Sequence, residues 1–207
     1  MKSVRPVLLL AVVPAILLQL APATHSALLY DRAAILRGEW WRLWTGHWVH
    51  FTASHLIWNL LVLAGAGWWL ERVRPGSLLR FLAVAAPVLG VSFLAGAPDM
   101  SSYGGLSGLA TGVVVLLALV QLGRRRADRS GWLGVLVLVG LKLAFDATHP
   151  APLLSRFEAQ AVRPSVLAHA AGAAAALIYV MSPLTPSRAA LRRAVRPIHS
   201  NPTANLS

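Results

Sequence analysis

Six apolar stretches recur along the chain, and they constrain its fold more than any other feature: Val7–Leu20, Leu56–Leu70, Leu78–Ala95, Leu106–Leu122, Trp132–Phe145 and Ser165–Met181. Each runs 14 to 18 residues, close to the roughly 20 needed to cross a bilayer as a helix. The chain is 57% hydrophobic and 13% charged, whereas soluble domains are about 45–50% apolar and about 25% charged. So little polar surface cannot cover a soluble fold of 207 residues, which excludes a cytosolic globular enzyme and a disordered chain. Six crossings use most of the length and leave no second domain. The pattern predicts a six-span membrane domain over 1–182. A polar, Pro-rich segment over 183–207 then reads as a basic, disordered cytoplasmic tail. Lys2 and Arg5 before the first stretch resemble a signal peptide. A retained span is preferred because the other five stretches need a consistent topology.

Basic residues in the connections set the orientation. With the N-terminus inside, one side holds Lys2, Arg5, Arg72, Arg74, Arg80, Arg124, Arg125, Arg126, Arg129, Arg188, Arg192, Arg193 and Arg196. The other holds Arg32, Arg37, Arg42, Arg156 and Arg163. This asymmetry places both termini in the cytoplasm. It also explains the net charge of +12 by topology and anionic membrane lipids, with no nucleic-acid partner. The long outer connection contains Trp40, Trp41, Trp44 and Trp48, four of eight tryptophans. Tryptophan favours the headgroup interface, so this loop is expected to lie partly in the membrane, with Glu39 and Arg42 able to pair.

Polar groups inside spans are costly and point to function. His55 and Asn59 share a helix face four residues apart. Ser107 sits in Tyr103-Gly104-Gly105-Leu106-Ser107-Gly108, and His169 opens the last span. Lys142 and Asp146, also four apart, read most simply as a neutralising pair. Taken singly, the glycines read as helix packing and the histidines as satisfied core groups. Together they form the inventory of a serine hydrolase. Ser107 needs a base to take its proton, and His169 can be that base. His55, Asn59 and the Ser107 backbone N–H can meet an oxyanion. Gly105 and Gly108 permit close approach of backbone and substrate. The spans carrying His55, Ser107 and His169 have no acid in their outer halves, so the reading is a Ser–His dyad. No cysteine exists, and His47 and His50 lack an intervening glutamate for a zinc motif. Asp146 stands alone where an aspartyl dyad needs two carboxylates. No metal and no cofactor are expected.

These residues resemble the rhomboid family of intramembrane serine proteases. Trp41-Arg42 is similar to its Trp-Arg loop motif. His50, His55 and Asn59 match His-x-x-x-x-His-x-x-x-Asn, Gly105-Leu106-Ser107-Gly108 matches Gly-x-Ser-Gly, and Ala168-His169-x-x-Gly172 matches Ala-His-x-x-Gly. The resemblance covers about residues 7–181. It implies an all-α bundle of six spans in a bacterial inner membrane, with the active site opening to the outer side. Ser107 would be nucleophile, His169 base, and His55, Asn59 and the Ser107 amide the oxyanion hole. His50 would be structural or water-retaining, and the fifth span a mobile helix beside which substrate enters. Substrate would be the transmembrane or C-terminal tail helix of another membrane protein.

The short chain, the Tyr-Gly-Gly-Leu-Ser-Gly run, the Trp-rich loop and the Lys–acid pair further resemble the rhombosortase branch. That branch is associated with C-terminal Gly-Gly signals followed by an apolar stretch and basic residues; Lys142 and Asp146 would then be elements near the gate. The alternative is a non-catalytic relative that binds or escorts membrane helices, although such relatives usually lose the Ser or His kept here. Two departures stand out. Thr111 replaces an aromatic that often packs against the base, so something else must hold His169. Ala176 replaces a further Gly, which predicts a looser contact between the fourth and sixth spans.

Overall fold

The computed structural model describes residues 4–124, 128–148 and 166–182. The tail over 183–207 and the basic residues Lys2, Arg125, Arg126, Arg156, Arg163, Arg188, Arg192, Arg193 and Arg196 lie outside the described residues. The described chain is mostly helical: α1 Val4–Leu20, α2 His25–Leu28, α3 Arg32–Leu36, α4 Arg42–Thr45, α5 Ala53–Val73, α6 Ser77–Gly96, α7 Ser107–Leu122, α8 Arg129–Thr148 and α9 Val166–Met181. Each apolar stretch maps onto one long helix. Two-residue strands, β1 Tyr30–Asp31 and β2 Ser102–Tyr103, pair antiparallel with Tyr30 opposite Tyr103 and Asp31 opposite Ser102.

Three of these helices, α5, α6 and α8, are long and apolar enough to cross a membrane. A fourth candidate joins Val7–Leu20 to Pro22–Leu28 through a 99° bend. The sequence pattern predicted six. The shorter helices α7 and α9 have 16 residues each, about 24 Å at 1.5 Å per residue. On the N-terminal side α7 is cut short because Gly105, at φ +131, cannot continue a helix. The fifth stretch is longer than its apolar run indicated, since α8 continues past Lys142 and Asp146 to 20 residues.

Burial ranks the helices. Ten of the sixteen residues of α7 are buried as whole residues, and none of α8 is, although the Asp146 carboxylate is covered. Thus α7 is central and α8 peripheral. Its closest partner is α9, and glycines permit the approach: a Cβ on Gly108 would lie 2.6 Å from the Ala168 carbonyl oxygen, and one on Gly112 2.7 Å from that of Gly172. A Cβ on Gly172 would run into the Gly108 carbonyl oxygen. Small residues at four-residue spacing let helix backbones meet in this way. Ala176, where a looser contact was expected, is fully buried. At the other end of the bundle, the buried Glu71 carboxylate accepts from the Gly76 N–H at 2.8 Å and the Leu78 N–H at 2.7 Å. It thereby caps the otherwise unpaired start of α6.

The connection before α5 is fastened to the bundle by hydrogen bonds. Pro87 lacks an N–H, which frees the Ala83 carbonyl inside α6; the Trp44 indole donates to it at 3.2 Å. The Trp48 indole donates to the Ala11 carbonyl of α1 at 3.0 Å. Arg32 donates to the Leu94 carbonyl at 3.0 Å, where a cation suits the C-terminal end of α6. The pairing of Glu39 with Arg42 is present at 2.7 Å. Buried Arg42 also donates to the carbonyls of Ser26 and Leu29, each at 2.8 Å.

Candidate active site

Ser107 is half-buried and is the first residue of α7. The backbone N–H groups of a first turn have no acceptor within their helix and carry the positive end of its dipole. The approach to Ser107 depends on Gly105. Its φ of +131 disfavours any side chain, and a Cβ there would lie 2.5 Å from Cε1 of His55. The His55 imidazole therefore rests directly on the backbone two residues before Ser107. Thr52 fixes the start of α5 beneath it, its Oγ1 accepting from the His55 N–H at 3.1 Å. The buried Nδ1 of His55 has no hydrogen-bond partner among the described residues. The Tyr103 hydroxyl donates to the Gly105 carbonyl at 2.9 Å.

His50 ties three segments together. Its Nδ1 lies 3.0 Å from the Trp48 carbonyl, so Nδ1 carries the proton and Nε2 accepts. Nε2 takes the Asn59 amide N–H at 3.2 Å and the Leu106 backbone N–H at 3.4 Å. A protonated ring could accept neither. Burial, with His55 nearby, lowers the pKa of His50 to about 4, which favours the neutral acceptor. His50 thus orients Asn59 and the turn leading into Ser107. The two rings of His50 and His55 meet edge to face, with centroids 5.1 Å apart.

His169 lies in the first turn of α9, one residue after Ala168. Gly108 follows Ser107, and Gly108 meets both Ala168 and Gly172 where α7 and α9 pack together. Ser107 and His169 consequently flank the same contact. On the far side of the ring stands α8. Asp146 Oδ2 lies 3.0 Å from His169 Nδ1, and Lys142 Nζ pairs with the same oxygen. Both carboxylate and imidazole are buried, at 7% and 6% side-chain exposure, while Lys142 is 49% exposed.

The structure therefore brings Ser107, His169, His50, His55, Asn59, Gly105, Gly108 and Gly172 to one end of the bundle and adds Lys142 and Asp146. Trp41 and Arg42 lie elsewhere, in the connection: the Trp41 indole donates to the Ala27 carbonyl at 3.2 Å. Thr111 turns back to donate to the Ser107 carbonyl at 2.9 Å, and the acid touching the His169 ring is Asp146. The premise of a base without an acid holds for the helices carrying His55, Ser107 and His169, but the carboxylate arrives from α8. Spacing along one helix could reveal the Lys142–Asp146 pair and not its third member. His47, read only as part of a His-x-x-His pair, is buried with Nε2 2.9 Å from the Ala86 carbonyl, and burial lowers its pKa to about 4. It is a packing group. No cluster of metal-ligating side chains occurs among the described residues.

The chain is 29% identical over 117 residues to the rhomboid protease GluP of Bacillus subtilis (strain 168). The match covers 56% of this chain and 23% of that protein, so the chain spans under a quarter of the relative's length. The family model of the rhomboid domain matches residues 37–184, which take in every residue of the cluster around Ser107 and His169. The chain belongs to the rhomboid family.

Proposed function

We propose that this chain is an intramembrane serine endopeptidase with Ser107 as nucleophile and His169 as base. The observation that carries the reading is the shared α7–α9 contact that Ser107 and His169 flank, beside the His50–Asn59–Leu106 network. His169 takes the Ser107 hydroxyl proton as Oγ bonds to the scissile carbonyl carbon. The carbonyl electron pair moves to oxygen, where the Ser107 N–H, Asn59 and His55 stabilise it. Collapse breaks the C–N bond, and His169 returns the proton to the leaving amine. Water then attacks the acyl-enzyme by the same route in reverse and regenerates Ser107. No metal or cofactor enters these steps.

The substrate is a transmembrane or C-terminal tail helix, locally unwound near the outer face. A helix keeps its carbonyls hydrogen-bonded, and only an extended segment offers one to Ser107. Entry is beside α8, the peripheral long helix with no residue buried as a whole, so that Lys142 and Asp146 stand at the gate. The Tyr103-Gly104-Gly105-Leu106-Ser107-Gly108 run favours the rhombosortase branch and substrates ending in Gly-Gly, an apolar stretch and an Arg cluster. The protein then sits in a bacterial inner membrane with both termini cytoplasmic.

The test is co-expression with a reporter carrying such a tail. Release that needs the Gly-Gly pair and is lost in Ser107→Ala supports the reading. Equal release by wild type and Ser107→Ala refutes it.

A further inference from the structure

We infer that Asp146 is a positioning residue for His169, making the catalytic group a Ser–His–Asp triad whose acid is delivered by α8. This rests on the proposed roles of Ser107 and His169 and adds a third member to them. The geometry requires a proton on His169 Nδ1. Two acceptors do not settle 3.0 Å apart, as Nδ1 and Asp146 Oδ2 are, so Nδ1–H donates to the carboxylate. Lys142 Nζ is 3.4 Å from Nδ1 and competes poorly for that nitrogen, because its own pairing is with the same Oδ2. A carboxylate oxygen accepts two such donors readily. With Nδ1 holding a proton, Nε2 is the ring nitrogen left to receive one from Ser107. A carboxylate that fixes this tautomer and stabilises the imidazolium is the established third element of serine-protease triads. It also supplies the hold on the base that Thr111 does not.

The charges around the ring can be enumerated. From α8 come Lys142 and Asp146, and from α5 His55. α7 has no charged residue. On α6 the one charged group, Arg80, lies toward its N-terminal end, whereas the other end, at Gly96, meets Leu167 of α9. Asp146 favours a protonated ring and Lys142 opposes it. Removing them one at a time must therefore act in opposite directions, which a mere helix-surface ion pair would not do. In Asp146→Asn the amide oxygen turns to the Lys142 ammonium and the NH2 to Nδ1. Nδ1 then becomes an acceptor, and the proton is forced onto Nε2.

The experiment measures the rate of fluorophosphonate labelling in native membranes from pH 5 to 9. It uses wild type, Asp146→Asn and Lys142→Met, with 15N-histidine NMR of the detergent-solubilised protein reading the His169 tautomer. Asp146→Asn is expected to slow labelling by about 10²–10⁴-fold and to move the acid limb to lower pH, with the Nδ1–H signal lost. Lys142→Met is expected to change the rate less than about tenfold and to move the acid limb to higher pH. Labelling of Asp146→Asn within threefold of wild type, or equal losses and coincident pH profiles in the two variants, overturns the inference. A wild type that takes no probe overturns the hydrolase reading instead. The tautomer still decides the Asp146 contact in that case: Nδ1–H in wild type and not in Asp146→Asn supports it, and an unchanged tautomer overturns it.

Discussion

Replacing Gly105 with alanine perturbs the site at one atom, and its cost follows from two features of the structure. The backbone sits at φ +131, where a side chain strains the chain by about 1–3 kcal/mol. The new Cβ would also lie 2.5 Å from His55 Cε1, against an ordinary contact of 3.4 Å or more, so the ring must withdraw by about 0.9 Å. A misplacement of about 1 Å costs a catalytic group about 10²-fold. Gly105→Ala should therefore label with a fluorophosphonate about 10²-fold more slowly than wild type and unfold more readily in detergent. The His55→Ala background separates the two effects. With no ring to displace, adding Gly105→Ala should change labelling less than about threefold, while the stability loss persists; such non-additivity is the signature of direct contact. The same labelling loss in both backgrounds, or a Gly105→Ala single variant within threefold of wild type, would refute the steric argument.

Gly172→Ala places a methyl against the Gly108 carbonyl and should destabilise the α7–α9 pair by about 1–3 kcal/mol. Gly140→Ala on α8 meets nothing within 4 Å and should be neutral or stabilising by up to about 1 kcal/mol; similar thermal shifts for both would contradict the packing. Burial holds the pKa values of His47 and His50 at about 4, from 6.5. Their neutral forms stabilise the fold fully above pH 6.5, and that contribution is lost as pH falls toward 4, by up to about 3 kcal/mol for each. Thermal midpoints should drop steeply over that window, and a flat profile between pH 7 and 4 would disprove the assignment.

What the sequence revealed, and what it hid, divides by distance along the chain. The helices were legible because each apolar run is continuous. His55 with Asn59, and Ser107 among its glycines, were legible because four-residue spacing fixes neighbours on a helix. The contact between Asp146 and His169 spans 23 positions, and nothing local encodes it; it exists because α8 docks against α9. The β1–β2 pair is too short to show any alternation. The tryptophans of the long connection read as interface anchors, but Trp44 and Trp48 donate to helix carbonyls, one of them freed by Pro87. The span count turns on helix length: α7 and α9 are apolar but have 16 residues each, and the start of α7 is set by the backbone angle at Gly105.

Activation of Ser107 by His169 is read out by fluorophosphonate labelling of wild type, Ser107→Ala and His169→Ala in native membranes, with the modified residue located by mass spectrometry. One adduct, on Ser107, is expected in the wild type, and none in either variant, with all three equally folded. Labelling that persists in Ser107→Ala, or that is as fast in His169→Ala as in wild type, would contradict it.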